Sequence, residues 1–119
     1  MGKKEFIEEL KDLAADVEDH GDDKVSFKYV PSLGRYAGQE FRVGYAVPGD
    51  FGLNPPSGPH VRPRIFPNQS GGPHPNGSVQ DSPFGADWHY WSRPVPGWSQ
   101  SKRKVKDVLM HLDRLFLTL

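Results

Sequence analysis

The chain has 119 residues, 35% of them hydrophobic, with 15 basic against 15 acidic side chains and no cysteine. That length supports one domain with one core, since a chain of this size buries roughly two-thirds of its unfolded surface without metal or disulfide support. Zero cysteines exclude a disulfide framework, a thiolate metal site and thiol catalysis. No apolar run approaches the roughly twenty residues of a membrane span, and Met1-Gly2-Lys3-Lys4-Glu5 lacks the apolar stretch of a secretion signal. A cytoplasmic protein with no membrane partner is expected.

The first 24 residues hold nine acids against four lysines, and residues 93 to 114 hold six basic residues against Asp107 and Asp113. The basic cluster Lys102-Arg103-Lys104 with Lys106 is a possible phosphate contact, but the neutral balance of the whole chain argues against nucleic acid as a partner.

In chain order, Phe6, Leu10, Leu13, Ala14 and Val17 recur at helical spacing with acids opposite them, which predicts an amphipathic helix over residues 3 to 19, ended by Gly21. Val25-Phe27-Tyr29 and Phe41-Val43-Tyr45 alternate as strands do, and the turn residues Pro31, Gly34 and Gly38 between them predict an antiparallel pair. A third strand is predicted over Val61 to Phe66. Pro59, Pro63 and Pro67 around it suit an edge better than a sheet centre.

From Pro48 to Trp98 the composition changes: eleven of the 12 prolines, all 3 tryptophans and eight glycines fall there. Disordered linkers are poor in aromatics, so the expectation is a long, ordered, proline-stiffened loop packed by its own rings, and such loops tend to carry function. Val105, Val108, Leu109, Leu112, Leu115, Phe116 and Leu119 form an apolar stripe that predicts a closing helix, with Ser99 or Ser101 as its N-cap. The fold class expected is α+β: a helix, an antiparallel meander, a long loop and a C-terminal helix.

Within the loop, His74-Pro75-Asn76 stands ahead of Gly77-Ser78-Val79-Gln80-Asp81-Ser82. With the element order, the proline-rich run from Pro55 to Pro67 and the block Trp91-Ser92-Arg93-Pro94 before the last helix, this resembles the ubiquitin-conjugating fold. The combination of Gly58-Pro59-His60-Val61, Ser82-Pro83-Phe84-Gly85 and Trp88-His89-Tyr90-Trp91-Ser92-Arg93-Pro94 is similar to bacterial members of that superfamily associated with ubiquitin-like modification operons. The resemblance implies a carrier that takes a ubiquitin-like modifier from an activating enzyme and passes it to a target protein, with no cofactor and no metal. It also implies a nucleophilic cysteine, which this chain lacks.

Two alignments stay open at the vacant nucleophile position. One places Ser82 there, six residues after Asn76 and nine before Trp91, with a small contraction; the other matches Gly77-Ser78-Val79-Gln80 and places Gln80 there, which leaves no nucleophile. Ser82 is the favoured candidate, with Ser78 a weaker one. A serine hydroxyl attacks an acyl carbon only when a base or a lowered pKa assists it. Its neighbours in sequence are Asp81, His74, His89 and Asp87, and histidine is the usual base.

By resemblance Asn76 is the donor to the tetrahedral oxyanion, a role whose loss costs about a hundred- to a thousandfold, and His74 first orders the loop. Asn76-Gly77 is equally a turn dipeptide without any chemistry. The 14- and 15-residue spacings of His60, His74 and His89 match no metal motif. The competing reading is a catalytically inactive module that binds a ubiquitin-like protein or its activating enzyme.

Overall fold

The computed structural model describes residues 2–64, 79–91 and 93–117. Its elements are α1 (Lys3–Lys11), β1 (Ala15–Asp19), β2 (Lys24–Tyr29), β3 (Phe41–Ala46), β4 (His60–Arg62), β5 (Val79–Ser82), β6 (Gly85–Trp91), a 3₁₀ turn (Trp98–Gln100) and α2 (Val105–Leu117). The α+β class is as expected. The strands form one six-stranded sheet in the order β1-β2-β3-β4-β6-β5, and every neighbouring pair is antiparallel.

The first departure from expectation is the N-terminal helix, which stops at Lys11 instead of Asp19. Phe6 and Leu10 fill the core, but Leu13 is 51% exposed, so the helical stripe breaks there. Beyond it the backbone finds better partners in the sheet: Ala15, Glu18 and Asp19 pair with Lys28, Ser26 and Val25 across an irregular register. Arg42 holds the new strand by donating from Nη2 to the Asp16 carbonyl and by approaching Glu18 at 3.4 Å. Gly21, with φ of 82°, serves the turn between β1 and β2, a left-handed conformation glycine adopts freely.

The antiparallel pair β2–β3 is as expected, in register from Lys24↔Ala46 to Tyr29↔Phe41. Val25, Phe27, Phe41, Val43 and Tyr45 face the helices and meet Phe6, Leu10, Val105, Val108, Leu112 and Phe116 in one core. Full burial of side chains this size stabilises by roughly 1.5–3 kcal/mol each before conformational entropy is counted.

The third strand spans His60–Arg62 and has ended at Pro63 and Arg64, while Ile65 and Phe66 of the predicted strand lie outside the described residues; it is central, lying between β3 and β6. Prolines are tolerated beside it because Pro59 and Pro63 bracket the three paired residues His60, Val61 and Arg62 and leave their N–H groups in the ladder. The predicted loop from Pro48 to Trp98 is also corrected: its second half contains the hairpin β5–β6, whose last strand closes against β4. Trp91, expected to pack a loop, is fully buried in the main core against Phe116. Gly58 lets the two backbones meet there, since a Cβ on it would stand 2.0 Å from the Trp91 carbonyl oxygen.

Neither serine caps α2 as predicted. The Ser101 hydroxyl donates to the Trp98 carbonyl and accepts from the Arg103 N–H, closing the preceding turn. The first turn of α2 is satisfied by Asp107, which accepts from Lys104 N–H, and by Glu9 of α1, which accepts from Val105 N–H. No helix among the described residues is long and apolar enough to cross a membrane.

Candidate functional site

Alternation along the strands gives the sheet a second face, turned away from the helices. Odd-numbered residues of β2 and β3 enter the core, so Ser26, Arg42 and Gly44 lie on the opposite side. Register carries that face across the sheet: Ser26 opposes Gly44, Gly44 opposes His60, and His60 opposes Tyr90.

Ser82 ends β5 on this face. Its Oγ lies 2.8 Å from His60 Nδ1 and accepts a hydrogen bond from the Phe84 N–H at 3.0 Å. The pair is roofed by rings. His60 stacks on Tyr90 with centroids 4.5 Å apart, and Phe84 lies 4.7 Å from His60, 4.9 Å from Trp88 and 5.3 Å from His20. The Arg62 guanidinium sits 5.3 Å from the Trp88 ring centre and extends the cover.

His60 is 4% exposed. Burial, with a smaller contribution from the Lys24 ammonium and an opposing one from Asp23, pushes its pKa down to about 4. The imidazole is therefore neutral at pH 7. In the tautomer with the proton on Nε2, Nδ1 is free to accept the Ser82 hydroxyl proton, while the Phe84 N–H occupies one of the oxygen's lone pairs. A second serine–histidine contact lies on the same face: Ser26 Oγ is 2.6 Å from His20 Nε2 and accepts from Arg42 Nε. Ser26 is fully buried, so this contact braces β2 and β3.

The sequence candidates are distributed unevenly. Ser82 acquires a histidine partner, but it is His60, from a strand 22 residues earlier, and not a neighbour in sequence. His89 opposes Val61 in the ladder and shares Val61's side of the sheet, facing away from Ser82, and Asp87 is exposed. Gln80 and Asp81 lie on β5 opposite Tyr90 and His89. His74, Asn76 and Ser78 lie outside the described residues. The signal that could have found His60 is its parity: it precedes the core residue Val61 by one position, so it occupies the other face of any strand containing both.

Among the described residues no group of three or more His, Asp or Glu side chains could hold a metal ion. A concavity of about 150 Å³ lined by Tyr29, Leu33, Asp113, Arg114 and Leu117 lies on the helix side, apart from His60 and Ser82. What the Ser82–His60 pair can do is polarise a hydroxyl beside a dry imidazole. No family model, curated protein or solved structure matches the chain.

Proposed function

We propose that the protein is a ubiquitin-conjugating-like carrier that accepts the C-terminal carboxyl of a ubiquitin-like modifier on Ser82 as an oxyester and passes it to a target protein. The observation that carries this reading is the 2.8 Å contact between Ser82 Oγ and His60 Nδ1, because a serine substitutes for a cysteine only with a base within reach. Support also comes from the α+β order of helix, antiparallel sheet and closing helix, which agrees with the resemblance in the sequence.

In the first step Ser82 Oγ attacks the carbonyl carbon of the modifier, presented as a thioester by its activating enzyme, while the hydroxyl proton passes to His60 Nδ1. The C–S bond breaks, and the departing thiolate takes up the proton. In the second step an amine or hydroxyl of the target attacks the ester carbonyl, the C–O bond breaks, and the proton lost by the nucleophile passes by way of His60 Nδ1 to the departing Ser82 oxygen, restoring the hydroxyl. A base with a pKa near 4 is wholly unprotonated at neutral pH yet a weak proton acceptor, so orientation of the hydroxyl contributes more than basicity. Asn76 is the proposed oxyanion donor, on resemblance alone.

The test is a reaction reconstituted from a ubiquitin-like modifier, its activating enzyme and this protein. A modifier adduct should form that survives thiol reductant, is released by hydroxylamine, and is absent in Ser82→Ala. Intact-mass spectra with no such adduct, or an adduct unchanged in Ser82→Ala, would refute the carrier reading.

One observation favours the binding-module reading: His60 is almost wholly buried, as suits a hydrogen bond that clasps β4 to β5 without chemistry. In that case folded Ser82→Ala and Asn76→Ala proteins support the pathway as well as the natural chain does.

A further inference from the structure

We propose that Phe84, seated on Gly44, is the positioning residue that holds the Ser82 hydroxyl against His60; this rests on the reading of Ser82 as the acyl acceptor. Phe84 lies in the tight turn of the β5–β6 hairpin, and Ser82 and Gly85 face each other across that turn. Its backbone and its ring act on the same pair from two sides. The N–H donates to Ser82 Oγ at 3.0 Å, and the ring covers the His60 imidazole at 4.7 Å between centroids.

Gly44 is the reason the ring can sit there. A Cβ at that position would lie 2.5 Å from Phe84 Cε2 and 2.6 Å from Cζ, closer than side-chain carbons approach anything. Gly44 is paired with Ser26 on one side and His60 on the other, so the ring rests over the middle of that row. Glycine is needed at this place for room, not for backbone freedom.

Two effects on Ser82 follow from the seat. With one lone pair committed to the Phe84 N–H, the hydroxyl proton is directed at Nδ1. With water kept off the imidazole by Phe84 and Tyr90, that hydrogen bond acts in a medium of low polarity, where it is stronger. The charged and titratable groups acting on His60 are Lys24 and Asp23, and His20 lies on the far side of the Phe84 ring. Changing residue 84 leaves Lys24, Asp23 and the Tyr90 ring stacked on His60 in place, and it removes the ring that lies between His20 and His60.

The test combines ¹⁵N NMR of the His60 ring with acetylation of Ser82 by p-nitrophenyl acetate, followed by intact mass, on the full chain. Phe84→Ala keeps the backbone N–H but loses the ring that seats the turn on Gly44 and covers His60, so the Nε2–H tautomer should give way to a mixture and the His60 titration midpoint should rise by about one pH unit or more. Ser82 acetylation should fall about tenfold or more. A tautomer and midpoint unchanged in Phe84→Ala would overturn the proposal, whatever the acetylation rate.

A natural chain whose Ser82 does not acetylate, but whose His60 responds to Phe84→Ala as stated, would uphold the positioning contact and count against the acyl-acceptor reading. Gly44→Ala should unfold or weaken the protein, and adding Phe84→Ala should restore folding without restoring the tautomer. A double variant no more stable than Gly44→Ala would overturn the seat.

Discussion

Glu9 of α1 accepts a hydrogen bond from the backbone N–H of Val105, the first residue of α2, at 3.1 Å. A helix start leaves N–H groups without partners, and here one of them is satisfied by a carboxylate 96 positions earlier in the chain. The contact also places a negative charge at the positive end of the helix dipole. Glu9→Ala should destabilise the protein by about 1 kcal/mol, with Glu9→Gln losing less, as measured by urea unfolding at neutral pH. Equal midpoints for all three proteins would remove the cap.

The buried His60 makes stability depend on pH. Its pKa in the folded protein, about 4, lies below the ordinary 6.5, so the unfolded chain binds the extra proton first and acid favours unfolding. The contribution is complete above pH 6.5 and is lost as pH falls toward 4, amounting to about 3 kcal/mol. His60→Asn, which cannot titrate, should flatten that window in unfolding free energies taken from pH 7 to 4.

Tyr45 is fully buried, and its hydroxyl has no hydrogen-bond partner among the described residues. An unpaired buried hydroxyl costs roughly 1–3 kcal/mol. Tyr45→Phe keeps the ring against Phe6 and Phe27 and should raise thermal stability. A fall in melting temperature would mean that the hydroxyl has a partner.

Gly58 and Gly49 give a matched pair of substitutions. A Cβ at Gly58 meets the Trp91 carbonyl oxygen and the Arg93 nitrogen, both backbone atoms, whereas one at Gly49 meets nothing within 4 Å. Gly58→Ala should cost about 3 kcal/mol or prevent folding, and Gly49→Ala should lie within about 0.5 kcal/mol of the natural chain. Soluble expression and calorimetry of the two variants decide this.

The elements legible in the sequence are those whose apolar period is long or clean: β2 and β3 by alternation, and α2 by its stripe from Val105 to Phe116. The segment Ala15–Asp19 reads as helix because Val17 continues a helical stripe, while the contacts that make it a strand, Arg42 with Asp16 and Glu18, come from a residue far along the chain. β6 is hidden because burial along Gly85–Trp91 does not alternate: Gly85, Ala86 and Asp87 are all exposed, and Trp88 and His89 are both buried. At the site, the resemblance points to Ser82 but not to its partner, since nothing local announces a pairing between residues 60 and 82. Phe84 and Gly44 were equally silent: a phenylalanine after proline and a glycine inside a strand acquire meaning only when one rests on the other.

Strand β3 divides the chain's tolerance of change by parity. Phe41, Val43 and Tyr45 face a greasy interior, where another apolar side chain of similar volume can be repacked. Gly44, between two of them, faces an aromatic ring with no room for a single carbon. A saturation library over Phe41–Ala46 should therefore return a comb: permissive hydrophobic teeth at the odd positions, and at position 44 a gap that a side chain enters only by displacing the Phe84 ring.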